Sequence, residues 1–218
     1  MTLKPANLSF ELAAAVPVAA ITALQGLRDK GQIQPGHKVL VDGASGGVGT
    51  FAVQIAKSFG AEVTAVCSTR NVDTAQSLGA DHVIDYTQDD FTRSGQRYDL
   101  IFAANAYHSI FDYRRALSHE GIYVMAGGGS VPMLEAILLG PLLSLIGRKK
   151  MCFVGAKVNK ADSILLKDLL EAGRVVPVMD RRYRFSALPD ALRYLEEGHA
   201  RGKVVIAVKH DNGVEQSF

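Results

Sequence analysis

The stretch Val41-Asp42-Gly43-Ala44-Ser45-Gly46-Gly47-Val48-Gly49 places four glycines in nine positions, directly after the apolar run Val39-Leu40-Val41. Glycine weakens regular structure, so a cluster at the end of a strand-like run needs a reason. A tight strand-to-helix turn that brings main-chain amides close to a ligand supplies one. Three known turns compete for this string. A phosphate loop of the nucleotide-hydrolase type needs a lysine after the last glycine, and Thr50 stands there instead. A nucleophile elbow is formally matched by Gly43-Ala44-Ser45-Gly46-Gly47, which would make the chain a serine hydrolase acting through Ser45. That fold needs several strands before its serine. Only 44 residues precede Ser45, and their first half reads as helix. The third turn is the dinucleotide fingerprint, spelled Ala44-x-Gly46-x-x-Gly49 or Gly43-x-x-Gly46-x-x-Gly49. Glycine at 46 removes the Cβ that would hold a diphosphate away from the backbone. Glycine at 49 lets the helix approach the sheet, and the helix start offers the N–H groups of Gly46, Gly47 and Val48.

The rest of the chain supports this third reading. Short, continuous aliphatic runs at Val39–Asp42, Val63–Cys67, His82–Ile84, Leu100–Ala104, Ile122–Ala126 and Cys152–Val154 alternate with helical patterns at 47–59 and 72–78. Strands of this kind are buried on both faces, as in a parallel sheet covered by helices. The fold class predicted is α/β, a doubly wound, six-stranded parallel Rossmann sheet over residues 36–156. Residues 1–35 read as a helical lead-in: a short helix at 9–15 and a longer one with Pro17 in its first turn, closed by Gly31 and Pro35-Gly36. Residues 157–218 read as helix 161–172, the segment Val175–Tyr183, helix 187–197, strand 203–208 and a polar tail at Asp211–Phe218. These later elements need not share the first sheet. The apolar stretch from Val131 to Ile146 carries Glu135 and Pro141, is too short for a bilayer span, and is expected to be a buried helix or a helix pair broken at Gly140-Pro141.

Composition narrows the function. A net charge of +2 over 218 residues gives no nucleic-acid surface, and the clusters Arg148-Lys149-Lys150 and Arg181-Arg182 read as solvated faces. Two cysteines, Cys67 and Cys152, without a CxxC or HExxH spacing, cannot make a tetrahedral zinc site by themselves. Cys67 lies in a strand pattern and reads as a small core residue. No basic-then-apolar leader opens the chain, and the expected compartment is the cytoplasm.

The choice of dinucleotide follows from the end of the second strand. A carboxylate there would hold a ribose 2′-hydroxyl, but no carboxylate lies between Glu62 and Asp73. Cys67-Ser68-Thr69-Arg70-Asn71 offers a hydroxyl and a guanidinium instead, which suit a 2′-phosphate. NADP(H) is therefore the expected cofactor. The short-chain dehydrogenase route is closed, because none of the seven tyrosines has a lysine four positions later.

Three separate strings carry a family resemblance: Pro17-Val18-Ala19-Ala20-Ile21-Thr22-Ala23-Leu24-Gln25-Gly26-Leu27, then Gly43 through Gly49, then Ser77-Leu78-Gly79-Ala80-Asp81-His82-Val83-Ile84-Asp85-Tyr86. With the ending Ala191 through Val205, they resemble zinc-independent medium-chain dehydrogenases/reductases, in the branch of NADPH:quinone oxidoreductases and enone reductases. The resemblance implies metal-free hydride transfer from NADPH to a quinone or an α,β-unsaturated carbonyl. Carried over by position, it implies that Ala44, Ser45, Gly46, Gly47 and Val48 cradle the diphosphate. Ser68, Arg70 and Tyr86 would surround the adenosine phosphate, and Thr22, Gly127 and Gly128 would lie near the nicotinamide. Family members begin with a GroES-like substrate domain, and the resemblance implies that this sequence starts at the end of that domain. Residues 1–8 and 175–209 would be the parts that pack on it, and the chain is expected to be a piece cut from a longer enzyme. Such a piece would either retain the enzyme's chemistry or act as a non-catalytic NADP(H)-binding module or an inert fragment. A homodimer through the sixth-strand edge, near Met151–Gly155, is also expected. The fourth strand departs from the family's Asp-x-Val-Gly ending. It reads Ala104-Asn105-Ala106-Tyr107-His108, where Asn105 can still bond a carboxamide or a substrate oxygen, and Tyr107 and His108 sit at a ligand-binding strand end. The reading of the residues assigns no catalytic residue.

Overall fold

A computed structural model describes residues 2–198 and 200–208. The tail at Asp211–Phe218 and His199 of the family-like ending lie outside them. In chain order the elements are helices α1 (Phe10–Ala14) and α2 (Pro17–Gln25), strand β1 (Lys38–Asp42), α3 (Gly49–Ser58), β2 (Glu62–Cys67), α4 (Val72–Ser77), β3 (His82–Asp85), β4 (Tyr98–Ala103), α5 (Ile110–Ala116) and β5 (Leu117–Met125). Then come α6 (Ser130–Leu138), α7 (Gly140–Leu145), β6 (Lys150–Phe153), α8 (Lys160–Glu171), β7 (Met179–Arg184), α9 (Leu188–Glu196) and β8 (Lys203–Ala207).

Strands β1 to β6 form one parallel sheet in the order β3-β2-β1-β4-β5-β6, the doubly wound arrangement expected from the sequence. The order reverses between β1 and β4, so a crevice opens at the carboxyl ends of those two strands. Successive residues of the strands serve opposite layers. Val39 and Val41 pack with Phe51, Ile55 and Leu24 under α2, α3 and α8, while Leu40 and Ile101 pack with Tyr113 and Tyr123 under α5 and α6. That double burial explains why the strands read as continuous rather than alternating. Strands β7 and β8 form a separate parallel pair.

Three details differ from the sequence reading. Strand β5 begins at Leu117, because the polar Ser118-His119-Glu120 continues the extended chain beyond the sheet's apolar center. The stretch from Val131 to Ile146 is a helix pair, α6 and α7, but it is not buried. Ala136 and Gly140 face inward, whereas Leu134, Ile137, Leu142 and Leu145 are exposed. Both helices lie against β6 in a single outer layer, so each has only one inward stripe. Finally, α2 and α8 bury Ala20, Leu24, Leu166 and Leu170 in the same core as α3, so the core is continuous across residues 35/36 and 156/157.

A buried polar cluster ties α2 to α8. Asp162 accepts from Gln25 Nε2 (2.6 Å) and Asn159 Nδ2 (2.6 Å) and pairs with Arg28 Nη1 at 2.8 Å. Burial opposes its charge, but these donors outweigh burial and hold the carboxyl below the usual carboxylate range.

Candidate coenzyme site

A cavity of about 790 Å³ occupies the crevice at the switch point. Its wall is built from the ends of β1 (Asp42, Gly43), β2 (Val66, Cys67, Ser68) and β4 (Ala104, Asn105) and from the glycine turn. Ser45, Gly46, Gly47, Val48, Ser68, Arg70, Tyr86 and Asn105 all line it, so the structure brings together eight of the twelve residues singled out by sequence.

The glycine turn works through two different constraints. A Cβ on Gly49 would lie 2.0 Å from the Gly43 carbonyl oxygen, so α3 begins where only glycine fits. A Cβ on Gly46 would meet only that same oxygen, at 3.5 Å; this position has room in the fold but faces the cavity. The amides divide similarly. Gly46 N–H donates to Gly43 O (3.2 Å) and Ala44 N–H to Val66 O (3.0 Å), so neither is available to a ligand. Among the described residues, the N–H groups of Gly47 and Val48 have no partner. The expected donor from Gly46 is therefore spent inside the turn, and Ala44 is buried against the sheet rather than exposed to the cavity.

Thr22, Gly127 and Gly128 lie elsewhere. The Thr22 hydroxyl donates to Val18 O (2.8 Å) within α2. Gly128, at φ +144°, pairs with Ala106 in an isolated parallel bridge, and a Cβ on Gly127 would press on Ala104 O at 2.7 Å. These two glycines let the chain after β5 lie against the chain after β4. They shape the loop 104–108 without lining the cavity.

Three contributors were not legible in the sequence. The first runs from the end of α9 into the start of β8: Leu195, Glu197, Gly198, Ala200, Gly202, Lys203 and Val204 close one side of the cavity. Asp180 fixes this segment by accepting from Tyr194 Oη (2.6 Å) and Arg201 N (2.9 Å). A Cβ on Gly47 would lie 2.7 Å from Lys203 Cδ and 3.5 Å from Lys203 Nζ, so an ammonium stands beside the open amides. The second is Asn71, whose amide bridges Ser45 and Ser68. The third is Asp42. It is buried and receives a 2.5 Å bond from Tyr113 Oη; burial pushes its carboxyl up to about 6, against the opposing pull of Tyr113 and His108. An aspartate ending an apolar strand was the available signal for it.

At the other end of the cavity, Asn105 Nδ2 donates to Tyr107 Oη (3.2 Å), and Tyr107 N–H donates to Tyr113 Oη (3.2 Å). His108 is half-buried, edge-on to Phe91 with ring centers 5.0 Å apart, so it is packed rather than a free surface group. Burial, reinforced by Asp85, pushes the Cys67 thiol up to about 11, which removes it as a nucleophile near neutral pH.

The donor set fits an anionic dinucleotide: main-chain N–H groups, hydroxyls, a guanidinium and an ammonium. It does not fit a metal. No group of three His, Cys, Asp or Glu among the described residues could hold one. No described helix is long and apolar enough to cross a membrane.

Comparison with known proteins agrees with this geometry. The sequence model of the zinc-binding dehydrogenases matches residues 78–206. The chain is 38% identical over 210 residues to a 2-methylene-furan-3-one reductase of Solanum lycopersicum and 34% identical over 210 residues to an NADPH-dependent alkenal/one oxidoreductase, chloroplastic, of Arabidopsis thaliana. Each match covers 94% of this chain and 49% of the relative, so the chain spans about half the length of these curated relatives. The quinone oxidoreductase from Coxiella burnetii superposes with a TM-score of 0.83 at 27% identity, over 95% of this chain and 64% of the other. With its doubly wound sheet, its glycine turn and these matches, the chain belongs to the zinc-binding dehydrogenase family.

Proposed function

We propose that this chain binds NADP(H) in the switch-point cavity, as the coenzyme domain of an oxidoreductase acting on a quinone or an α,β-unsaturated carbonyl. The observation that carries the reading is the pairing of two open amides, on Gly47 and Val48, with the Lys203 ammonium beside them. A diphosphate needs such a concentration of donors and positive charge. Ser45, at the cavity face of the turn, adds a hydroxyl.

At the end of β2, Ser68 and Arg70 line the cavity with no carboxylate among the cavity residues from that strand. That arrangement favors a 2′-phosphate over a free hydroxyl. Tyr86, largely exposed, offers a ring face to the adenosine portion. When bound, the reduced nicotinamide supplies a hydride. The chain's part is to fix the coenzyme along the crevice, to hold the loop 104–108 through Tyr113 and Asp42, and to exclude water with the segment after α9. Asn105 and Tyr107 are placed to meet a carboxamide or a substrate oxygen.

Residues 1–8 and 175–209 are read as the parts that pack on a further, GroES-like substrate domain. The exposed Leu3 and Phe185 support this. The β6 edge near Met151–Gly155, flanked by the exposed Leu145 and Phe153, is read as a homodimer contact. Two free cysteines suit a reducing compartment, and the cytoplasm is the assignment we favor.

The test pairs an NADPH titration with a turnover assay on a small quinone. Saturable binding with oxidation of NADPH supports the enzyme reading. Binding without oxidation supports the second reading, a coenzyme-binding module that needs its partner domain. Replacing Arg70 by alanine should weaken NADPH by about 1.5–3 kcal/mol and spare NADH.

A further inference from the structure

Asn71 is 4% exposed and ends the short turn Thr69–Asn71 that follows β2. Its side-chain nitrogen donates to Ser45 Oγ at 3.1 Å and to Ser68 Oγ at 3.0 Å. One amide thus connects the glycine turn to the end of the neighboring strand, and both serines line the cavity. Asn71 Oδ1 is buried without a partner among the described residues. Turning the amide over would let its oxygen accept from the serines, but would bury two N–H donors without acceptors in place of one unpaired oxygen. The observed orientation is therefore the better satisfied one.

This orientation has a consequence for the serines. Each hydroxyl oxygen already accepts a bond from Asn71, so its own hydrogen is directed away from Asn71. A phosphate oxygen only accepts. Two hydroxyls that are already donors bind it without first breaking a bond or giving up rotational freedom. We propose that Asn71 is a positioning residue that makes Ser45 and Ser68 hydrogen-bond donors toward the coenzyme's phosphates, and so sets the preference for a 2′-phosphorylated dinucleotide. The proposal rests on the NADP(H) reading above and deepens it. Ser45 lies on the diphosphate turn, where both coenzymes present the same group, and Ser68 lies beside Arg70, where they differ.

Coenzyme-fluorescence titrations with NADPH and NADH test it. They use the parent chain, Asn71→Leu, Asn71→Asp, Ser68→Ala and the double variant Ser68→Ala/Asn71→Leu, with the melting temperature of each unliganded protein as a check on folding. Leucine removes the donor at similar volume. Aspartate keeps the shape but accepts from both serines, so their hydrogens are spent on it. Asn71→Leu should weaken NADPH by about tenfold and NADH by about threefold, as the loss of one bond to a charged group implies. Asn71→Asp should weaken NADPH further, and remains informative if the leucine variant does not fold. With Ser68 already alanine, adding Asn71→Leu should leave the ratio of the two affinities unchanged. Asparagine variants that keep both affinities within twofold of the parent would overturn the proposal alone, as would equal effects on the ratio with and without Ser68. A parent chain that binds neither coenzyme would overturn the NADP(H) reading and this inference together.

Discussion

The Tyr113 hydroxyl donates to Asp42 Oδ2 at 2.5 Å, and Tyr113 Oη itself accepts the Tyr107 N–H at 3.2 Å. One tyrosine thus links the end of β1 to the loop that closes the far side of the cavity. Burial raises Asp42 from 3.8 to about 6, so the folded chain holds this proton more tightly than the unfolded chain. Where the folded state binds more protons, stability falls as pH rises. The Asp42 contribution should therefore be lost between about pH 4 and pH 6 and stay lost above. At about 1.4 kcal/mol per pH unit the total is on the order of 3 kcal/mol. Asp42→Asn should remove this dependence: its stability relative to the parent should rise across that window in urea denaturation. Parallel curves for the two proteins would contradict the assignment.

Tyr113→Phe removes the donor that holds down the Asp42 carboxyl, and leaves the Tyr107 amide without its acceptor. It should destabilize the chain by about 1–3 kcal/mol at pH 7.5. The loss should shrink at pH 5, where Asp42 is protonated. A loss equal at both pH values would mean that the pair is not coupled.

Lys203 and Arg70 should separate by their selectivity. Lys203 adjoins the diphosphate turn through Gly47, so Lys203→Ala should weaken NADPH and NADH alike, by about tenfold each, and reduce the salt dependence of both. Arg70→Ala should affect NADPH only. A Lys203 variant that loses NADPH selectively would move this ammonium to the 2′-phosphate.

Asp162 anchors α8 to α2 through three donors. Asp162→Ala removes a shared acceptor, while Arg28 keeps Asp29 and Gln25 keeps Lys157 O, and should cost about 1–3 kcal/mol in thermal or chemical denaturation. Because its carboxyl is held below the usual range, this contribution is present above about pH 4 and is lost as pH falls through the lowered value. Coenzyme affinity should not change.

The sheet was legible because its inner strands β1, β2, β4 and β5 are largely buried on both faces, a pattern that few other arrangements need. The glycine turn was legible because its spacing is local: residues 43 to 49 meet one another within a single turn. Lys203 lay inside the family-like ending Ala191 through Val205, but nothing local to that string gave it a role. Only the folded chain places it against Gly47, 156 positions earlier. Asn71 stood inside a recognized string, yet its bridging of Ser45 and Ser68 depends on β1 and β2 being neighbors. The exposure of Leu142 and Leu145 was misread for a related reason, because helical periodicity does not tell how many layers lie outside a helix.

The central claim is that main-chain amides at the glycine turn hold a dinucleotide's diphosphate. Gly46→Ala tests it most directly, because a methyl group there clears the fold, meeting only Gly43 O at 3.5 Å, while facing the cavity. Calorimetric titration should find this variant folded and weakened by about tenfold or more toward NADPH and NADH together. A folded Gly46→Ala protein that binds both coenzymes as tightly as the parent would contradict the account.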